Sequence, residues 1–174
     1  MTKRIWPLLV FIIICGFLAR GLQLNPKSMP SVVIGKKLPE QSLTLWGQKN
    51  HPVTFSKWQG QLMILHFWAT WCDSCNQDIA QLQSLHQKSK AQLLGINYKD
   101  SKQELQKWLR THSEIFDDMI LDKKGLLGMD LGVVATPETF IVDKQGIIRF
   151  RYQGPLTESV IQQQILPILA EYER

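Results

Sequence analysis

Hydrophobic and polar positions fall into blocks along this chain, and each block has a period. Residues 5–19 (IWPLLVFIIICGFLA) are uncharged and almost wholly apolar, with Lys3 and Arg4 before them and Arg20 closing the run. Residues 20–31 are rich in Gly, Pro, Ser and Asn and read as a tether. Short extended segments follow at 41–46 (QSLTLW) and 52–55 (PVTF), flanking a polar GQKN turn, which predicts an N-terminal hairpin. The compact run QLMILHFW at 61–68 predicts a buried central strand. Ile79, Leu82 and Leu85 then recur at helical spacing. QLLGINY (92–98) predicts a second strand, and SKQELQKWLRTH (101–112) a helix capped by Ser101, with Glu104 completing a capping box. DMILD (118–122) predicts a short strand, and ETFIVD–KQG–IIRFRY a hairpin turning at Lys144 to Gly146. A final amphipathic helix is expected over 157–173, capped by Thr157, with Pro167 kinking it or breaking its last turn.

Strands and helices alternate early and a hairpin comes late. That order predicts an α/β domain: a mixed sheet flanked by helices, preceded by a hairpin extension. Three regions result: an anchor over 1–22, a tether over 23–31 and one globular domain over 32–174. The first apolar segment is short for a spanning helix, which needs about 20 residues, but Gly21, Leu22 and a snorkelling Arg20 extend it. Its basic leading end is expected to stay in the cytoplasm, placing the domain outside as a single-pass protein. Cleavage at the small residues Ala19 and Gly21 is the rival reading, and lipidation at Cys15 is disfavoured because Ile14 before it is not small. Every route exports the domain. Cys15 itself reads as a small lipid-facing hydrophobe.

Charge alters this picture little. Of a formal net charge of +5, Lys3, Arg4, Arg20 and Lys27 lie in the first thirty residues, where there is no acid. The remainder mixes both signs, and no basic run interleaves with aromatics, which argues against nucleic-acid binding. Trp46, Trp58, Trp68 and Trp108 read as core or rim packing.

The chemistry centres on WCDSC. Cys72 and Cys75 face an oxidising compartment if the domain is exported. A disulfide between them closes a very short loop and so constrains the unfolded chain little. The pair is therefore a poor staple, leaving redox or metal chemistry. His51, His66, His86 and His112 are scattered and there is no second CxxC, so a metal site lacks ligands. Placed after a buried strand and at the start of a helix, Cys72 meets unpaired N–H groups and a dipole that favour its thiolate, the attacking species in exchange. Cys75, one turn on, is placed to resolve a mixed disulfide. Asp73, beside Cys72, opposes that ionisation.

FWATWCDSC resembles the active site of the thioredoxin superfamily. LLGINYKDS and MDLGVVATPETFIVDKQGIIRFRYQG closely resemble its CcmG/DsbE branch, the membrane-anchored thiol:disulfide interchange proteins of cytochrome c maturation, and the likeness runs over about residues 32 to 172. It implies a thioredoxin-like fold in a periplasmic, inner-membrane-anchored reductant with no cofactor beyond its own disulfide. The electron donor would be a DsbD-type membrane reductase, and the acceptor apocytochrome c or a CcmH-type protein. By resemblance Cys72 is the exposed nucleophile, Cys75 the resolving thiol and Trp71 the flanking aromatic. Thr136–Pro137 matches the cis-proline loop, whose preceding residue pairs with extended substrate. Glu138 and Asp78 match acidic positions that oppose thiolate formation or select partners; a water-facing first-turn acid is the plainer reading of Asp78.

Three departures stand out. Asp73–Ser74 replaces the usual Pro-Thr, Ala135–Thr136 stands where Gly and Ala are common, and His66 occupies a position where many thioredoxins bury an Asp. His66 is either a proton relay to Cys75 or a histidine packed behind the helix with one satisfied nitrogen. Other readings are a TlpA/ResA-like reductant for targets such as oxidase copper sites, a Sco-type metallochaperone and a non-redox apocytochrome-binding module. The two-residue gap between the cysteines argues against the metallochaperone, and no PxxxTxxC motif supports a peroxidase.

Overall fold

The computed structural model describes residues 6–22, 32–48, 51–112 and 115–173. The chain divides into two compact units, Met1–Pro30 and Ser31–Arg174. Lys3, Arg4, the tether and part of the GQKN turn lie outside the described residues.

In the first unit, helix α1 spans Trp6–Leu22 over 17 residues, with Arg20 in its last turn. At a rise of about 1.5 Å per residue it is about 26 Å long, against about 30 Å for a bilayer core. Among the described residues no helix is long and apolar enough to cross a membrane. Cys15 is exposed on α1 and free.

The second unit is built on a five-stranded mixed sheet. Its strands are β1 (Met63–Trp68), β2 (Gln92–Tyr98), β3 (Asp118–Asp122), β4 (Glu138–Val142) and β5 (Ile148–Gln153). They lie in the order β3-β2-β1-β4-β5. β1 runs parallel to β2 and antiparallel to β4, so the apolar run 61–68 supplies the central strand, buried at every position. Side chains alternate between faces. Met63, Leu65 and Phe67 pack with Leu38, Phe55, Trp58, Leu127 and Phe140. On the opposite face, Ile64 packs with Leu82, Leu85, Ile161 and Ile165, while Trp68 packs with both cysteines and Leu105. Helices α2 (Asp73–Gln77), α3 (Ile79–Lys88) and α4 (Lys102–Leu109) lie in chain order between β1 and β3. A short α5 (Leu126–Asp130) precedes β4, and α6 (Glu158–Val160) and α7 (Leu166–Glu173) follow β5.

Four local expectations change. The N-terminal hairpin reduces to a single bridge, in which Leu43 and Val53 exchange backbone bonds of 2.7 and 3.0 Å. The rest of that segment goes to the sheet margins. Trp46 N–H donates to the Met119 carbonyl and Leu121 N–H to that of Thr44, along β3, while Ile148 N–H donates to the Lys36 carbonyl beside β5. Open edges present unpaired N–H and C=O groups, and covering both uses the extension better than a free hairpin would. Phe55 enters a 3₁₀ turn, Phe55–Trp58, capped by Thr54, instead of a strand. The capping box is half formed: Ser101 Oγ accepts from Glu104 N–H at 3.1 Å, but Ser101 N–H is taken by Asp100 and the Glu104 carboxylate by Lys107. Pro167 does not break the last turn. A wider π-helical turn, Ile161–Ile165, precedes it, and α7 continues to Glu173. Proline lacks an N–H and crowds the carbonyl four residues back, and the wider turn relieves that.

Candidate active site

The site forms where β1 ends. Cys72 is the N-cap of α2, with extended backbone, and its Sγ accepts from Cys75 N–H at 3.2 Å. It also lies 3.5 Å from Ser74 Oγ. The two cysteines are joined in a disulfide, with Cα atoms 5.3 Å apart. Sequence reasoning made Cys72 the exposed member. In this oxidised form both are buried, at 5% and 4% exposure. The exposed group is Trp71, at 58%, whose Nε1 donates to the Lys99 carbonyl at 3.2 Å. Asp73 is exposed in the first turn of α2, where an acid suits the helix dipole.

Antiparallel pairing brings a second loop to the same end of the sheet. β4 begins at Glu138, which pairs with Phe67 near the end of β1. Thr136–Pro137, just before it, is a cis peptide, as the resemblance implied. The Thr136 Oγ1 is buried without a hydrogen-bond partner among the described residues. Glu138 is fully buried, with Arg151 Nε on its Oε1 and Val134 N–H 3.4 Å from Oε2. Burial raises its pKa, and the Arg151 contacts pull against that. Arg151 also donates to the Gly132 carbonyl at 2.6 Å, so the pair ties both ends of the 132–138 loop to β5.

Behind the disulfide lies a buried polar pair. Asp78 does not face water: it is fully buried, and its Oδ1 accepts from Leu156 N–H at 2.8 Å. The chain after β5 folds back over the junction of α2 and α3, which the local sequence around Asp78 does not reveal. Its N–H donates to the Cys75 carbonyl at 3.1 Å, one turn below the resolving cysteine. Burial lifts its pKa to about 7, against the opposing Leu156 hydrogen bond. His66, also fully buried, pairs through Nδ1 with Thr139 Oγ1 at 3.0 Å. Its Nε2 lies 3.9 Å from Asp78 Oδ2, and neither atom has a hydrogen-bond partner among the described residues. Burial lowers the His66 pKa to about 3, so the ring is neutral. His66 thus has one satisfied nitrogen, as the packed reading held, and the other aimed at an acid.

Sequence reasoning passed over Thr70, Asn97, Asp100, Thr139 and Arg151, which hold the site together. The available signal was a polar residue interrupting a buried strand, as Asn97 does in β2 and Thr139 in β4.

A dithiol pair capping a helix at the end of a central strand, opposite a cis-proline loop, defines a thioredoxin-like thiol:disulfide oxidoreductase. The model of the AhpC/TSA family matches residues 34–151. The thiol:disulfide interchange protein DsbE of Allochromatium vinosum is 35% identical over 98% of this chain and 94% of its own length. That of Escherichia coli K12 is 34% identical, with 97% and 94% covered. A solved structure from Chlorobium tepidum, described as a DsbE, superposes with a TM-score of 0.64 at 27% identity over 78% of this chain and 97% of its own. The chain belongs to the DsbE thiol:disulfide interchange proteins, within reach of the AhpC/TSA family model.

Proposed function

We propose that this chain is an envelope reductant of cytochrome c maturation, held at the inner membrane by its N-terminal segment with the globular unit in the periplasm. Its target is the oxidised haem-attachment cysteine pair of apocytochrome c, or a CcmH-type protein that relays to it. The observation that carries the reading is the Cys72–Cys75 disulfide at the N-terminus of α2, in a chain similar to DsbE proteins along nearly its whole length. A DsbD-type reductase supplies two electrons and two protons, converting the disulfide to two thiols. The Cys72 thiolate then attacks one target sulfur, and the other target sulfur leaves and takes a proton. Cys75 next attacks Cys72 Sγ, which restores the intramolecular disulfide and releases the second target thiol.

The Cys75 N–H aimed at Cys72 Sγ stabilises a thiolate there. Asp78, whose N–H bonds the Cys75 carbonyl and whose buried Oδ2 has no hydrogen-bond partner among the described residues, is our candidate for the proton acceptor in the resolving step, and burial raises its pKa toward neutral pH. The surroundings fit a polypeptide substrate: Trp71 before α2, Leu126 and Met129 on α5, and Val134 in the loop before β4 are exposed apolar side chains.

The test is replacement of Cys72 by Ser in a cell that depends on this chain for c-type cytochromes. Loss of haem-stained cytochromes is expected, and normal levels would refute the reductase reading. Cys75→Ala is expected to trap target proteins as mixed disulfides, which identifies them directly. Capture of oxidase copper-site proteins in place of apocytochrome or a CcmH-type protein would move the assignment to a TlpA/ResA-like reductant.

A further inference from the structure

The turn between β2 and α4 makes an unusual investment in two residues of the active-site loop. The Asp100 carboxylate accepts four hydrogen bonds. Thr70 donates twice, through N–H to Oδ2 at 2.7 Å and through Oγ1 to Oδ1 at 2.8 Å. Asn97 Nδ2 donates to Oδ2 at 2.9 Å and Ser101 N–H to Oδ1 at 2.7 Å. Two oxygens receiving two donors each leave the carboxylate saturated. The neighbouring Lys99 is the one non-glycine among the described residues with positive φ, at 46°. Its N–H is held by the Asp122 carbonyl at 3.0 Å, and its own carbonyl receives the Trp71 indole. A side chain held in the left-handed region is strained, and such strain persists where the surroundings over-determine it.

Thr70 and Trp71 are the two residues immediately before Cys72. In the oxidised form Cys72 is fixed from the other side by its bond to Cys75. Reduction removes that covalent tether just when Cys72 must approach a target disulfide along the axis of its S–S bond. What then remains on the N-terminal side is the Cys72 N–H to Ala69 carbonyl bond at 3.2 Å and the Lys99–Asp100 turn.

We propose that Asp100 is a positioning residue for disulfide exchange, which holds the reduced Cys72 and the exposed Trp71 in attack geometry through Thr70. The inference rests on Cys72 being the attacking thiol. Asp100 touches neither sulfur. Its effect is on the rate at which a formed thiolate reacts, not on how much thiolate forms.

The experiment uses the reduced chain in a Cys15→Ala, Cys75→Ala background, where Cys72 is the one thiol left and only the first attack occurs. Its second-order rate is followed from pH 5 to 9 against 5,5′-dithiobis(2-nitrobenzoate) and against an oxidised Cys-X-X-Cys-His peptide. Asp100→Asn, which turns one acceptor into a donor facing donors, is expected to slow attack on the peptide about tenfold at the thiolate plateau, with the pH midpoint unmoved. Thr70→Val, a milder change should Asp100→Asn fold poorly, is expected to slow it less. The double variant should be no slower than Asp100→Asn alone, because both act through one contact. Rates within twofold of the parent for both variants, measured on folded protein, would overturn the proposal, as would a shifted midpoint that accounts for the whole loss. Equal reactivity in a Cys72→Ser protein would sink the underlying reading, and the positioning role with it.

Discussion

The buried pair behind the disulfide makes a quantitative claim about stability. In the folded chain burial lowers His66 from 6.5 to about 3 and raises Asp78 from 3.8 to about 7. The signs oppose. For His66 the unfolded chain binds the proton more tightly, so stability is present above pH 6.5 and is lost as pH falls toward 3. For Asp78 the folded chain binds it more tightly, so stability is present below pH 3.8 and is lost as pH rises through 7. At about 1.4 kcal/mol for each pH unit, the His66 effect amounts to about 5 kcal/mol over its range and the Asp78 effect to about 4 kcal/mol. In the overlap, from about pH 4 to 6.5, the slopes cancel. Folding there moves one proton from His66 to Asp78 with almost no net uptake. Each residue therefore hides the other, and single variants expose them. Between pH 4.5 and 6.5, His66→Gln is expected to lose about 3 kcal/mol relative to wild type and Asp78→Asn to gain about 3 kcal/mol, while the double variant follows the wild-type trend. Urea unfolding of the disulfide-intact proteins at three pH values reads this directly. Glu138, whose pKa is also raised, contributes equally to all four proteins and drops out of the differences. Slopes of the same sign in the two single variants, or no change from wild type in either, would refute the claim that these groups sit buried with the proton on the acid.

Other consequences are as direct. Asp73→Asn removes the acid beside Cys72, and the pH–rate profile of thiol exchange is expected to move to lower pH with a more oxidising couple; an unmoved or raised profile would leave Asp73 only its first-turn helix role. Glu138→Ala removes the buried carboxylate that Arg151 Nε bonds and leaves a cavity in its place, and is expected to cost about 3 kcal/mol in chemical denaturation, with Glu138→Gln costing less. Gly95→Ala puts a Cβ 2.7 Å from the Phe116 ring and Gly128→Ala one 2.5 Å from Tyr98 Cε2. Each is expected to destabilise by about 1–3 kcal/mol through overpacking, read as a lower urea midpoint.

What was legible in the sequence follows from the range of the forces involved. The strands β1 and β2 are mostly apolar runs, and burial on both faces is what such runs mean. The hairpin of β4 and β5 closes through its own local turn, where Asp143 Oδ1 accepts from Gln145 and Ile147 N–H at 2.9 Å each. The N-terminal extension departs from the expected hairpin because its partners are sheet edges far along the chain, and no local pattern encodes a non-local edge. The short α5 was missed because five residues carry too little periodicity; its start is set by Gly125 and by Asp122 accepting from Gly128 N–H at 2.8 Å. The burial of Asp78, which excludes its water-facing reading, is not legible locally for the same reason, since Leu156, which bonds it, arrives from beyond β5.

Polar residues interrupt the buried strands at His66, Asn97, Glu138 and Thr139, and the sheet register gathers them around the last three residues of β1. His66 lies opposite Thr139 and Trp68 opposite Asn97, with Glu138 opposite Phe67 between them. A buried polar group costs free energy unless it is partnered, so a strand tolerates one only where something else needs it. Here each partner leads to the disulfide: His66 to Asp78 below Cys75, Asn97 to Asp100 and the Thr70 loop, and Glu138 to the cis-proline loop through Arg151. Breaks in the apolar pattern, taken together with strand register, locate this site independently of its cysteines.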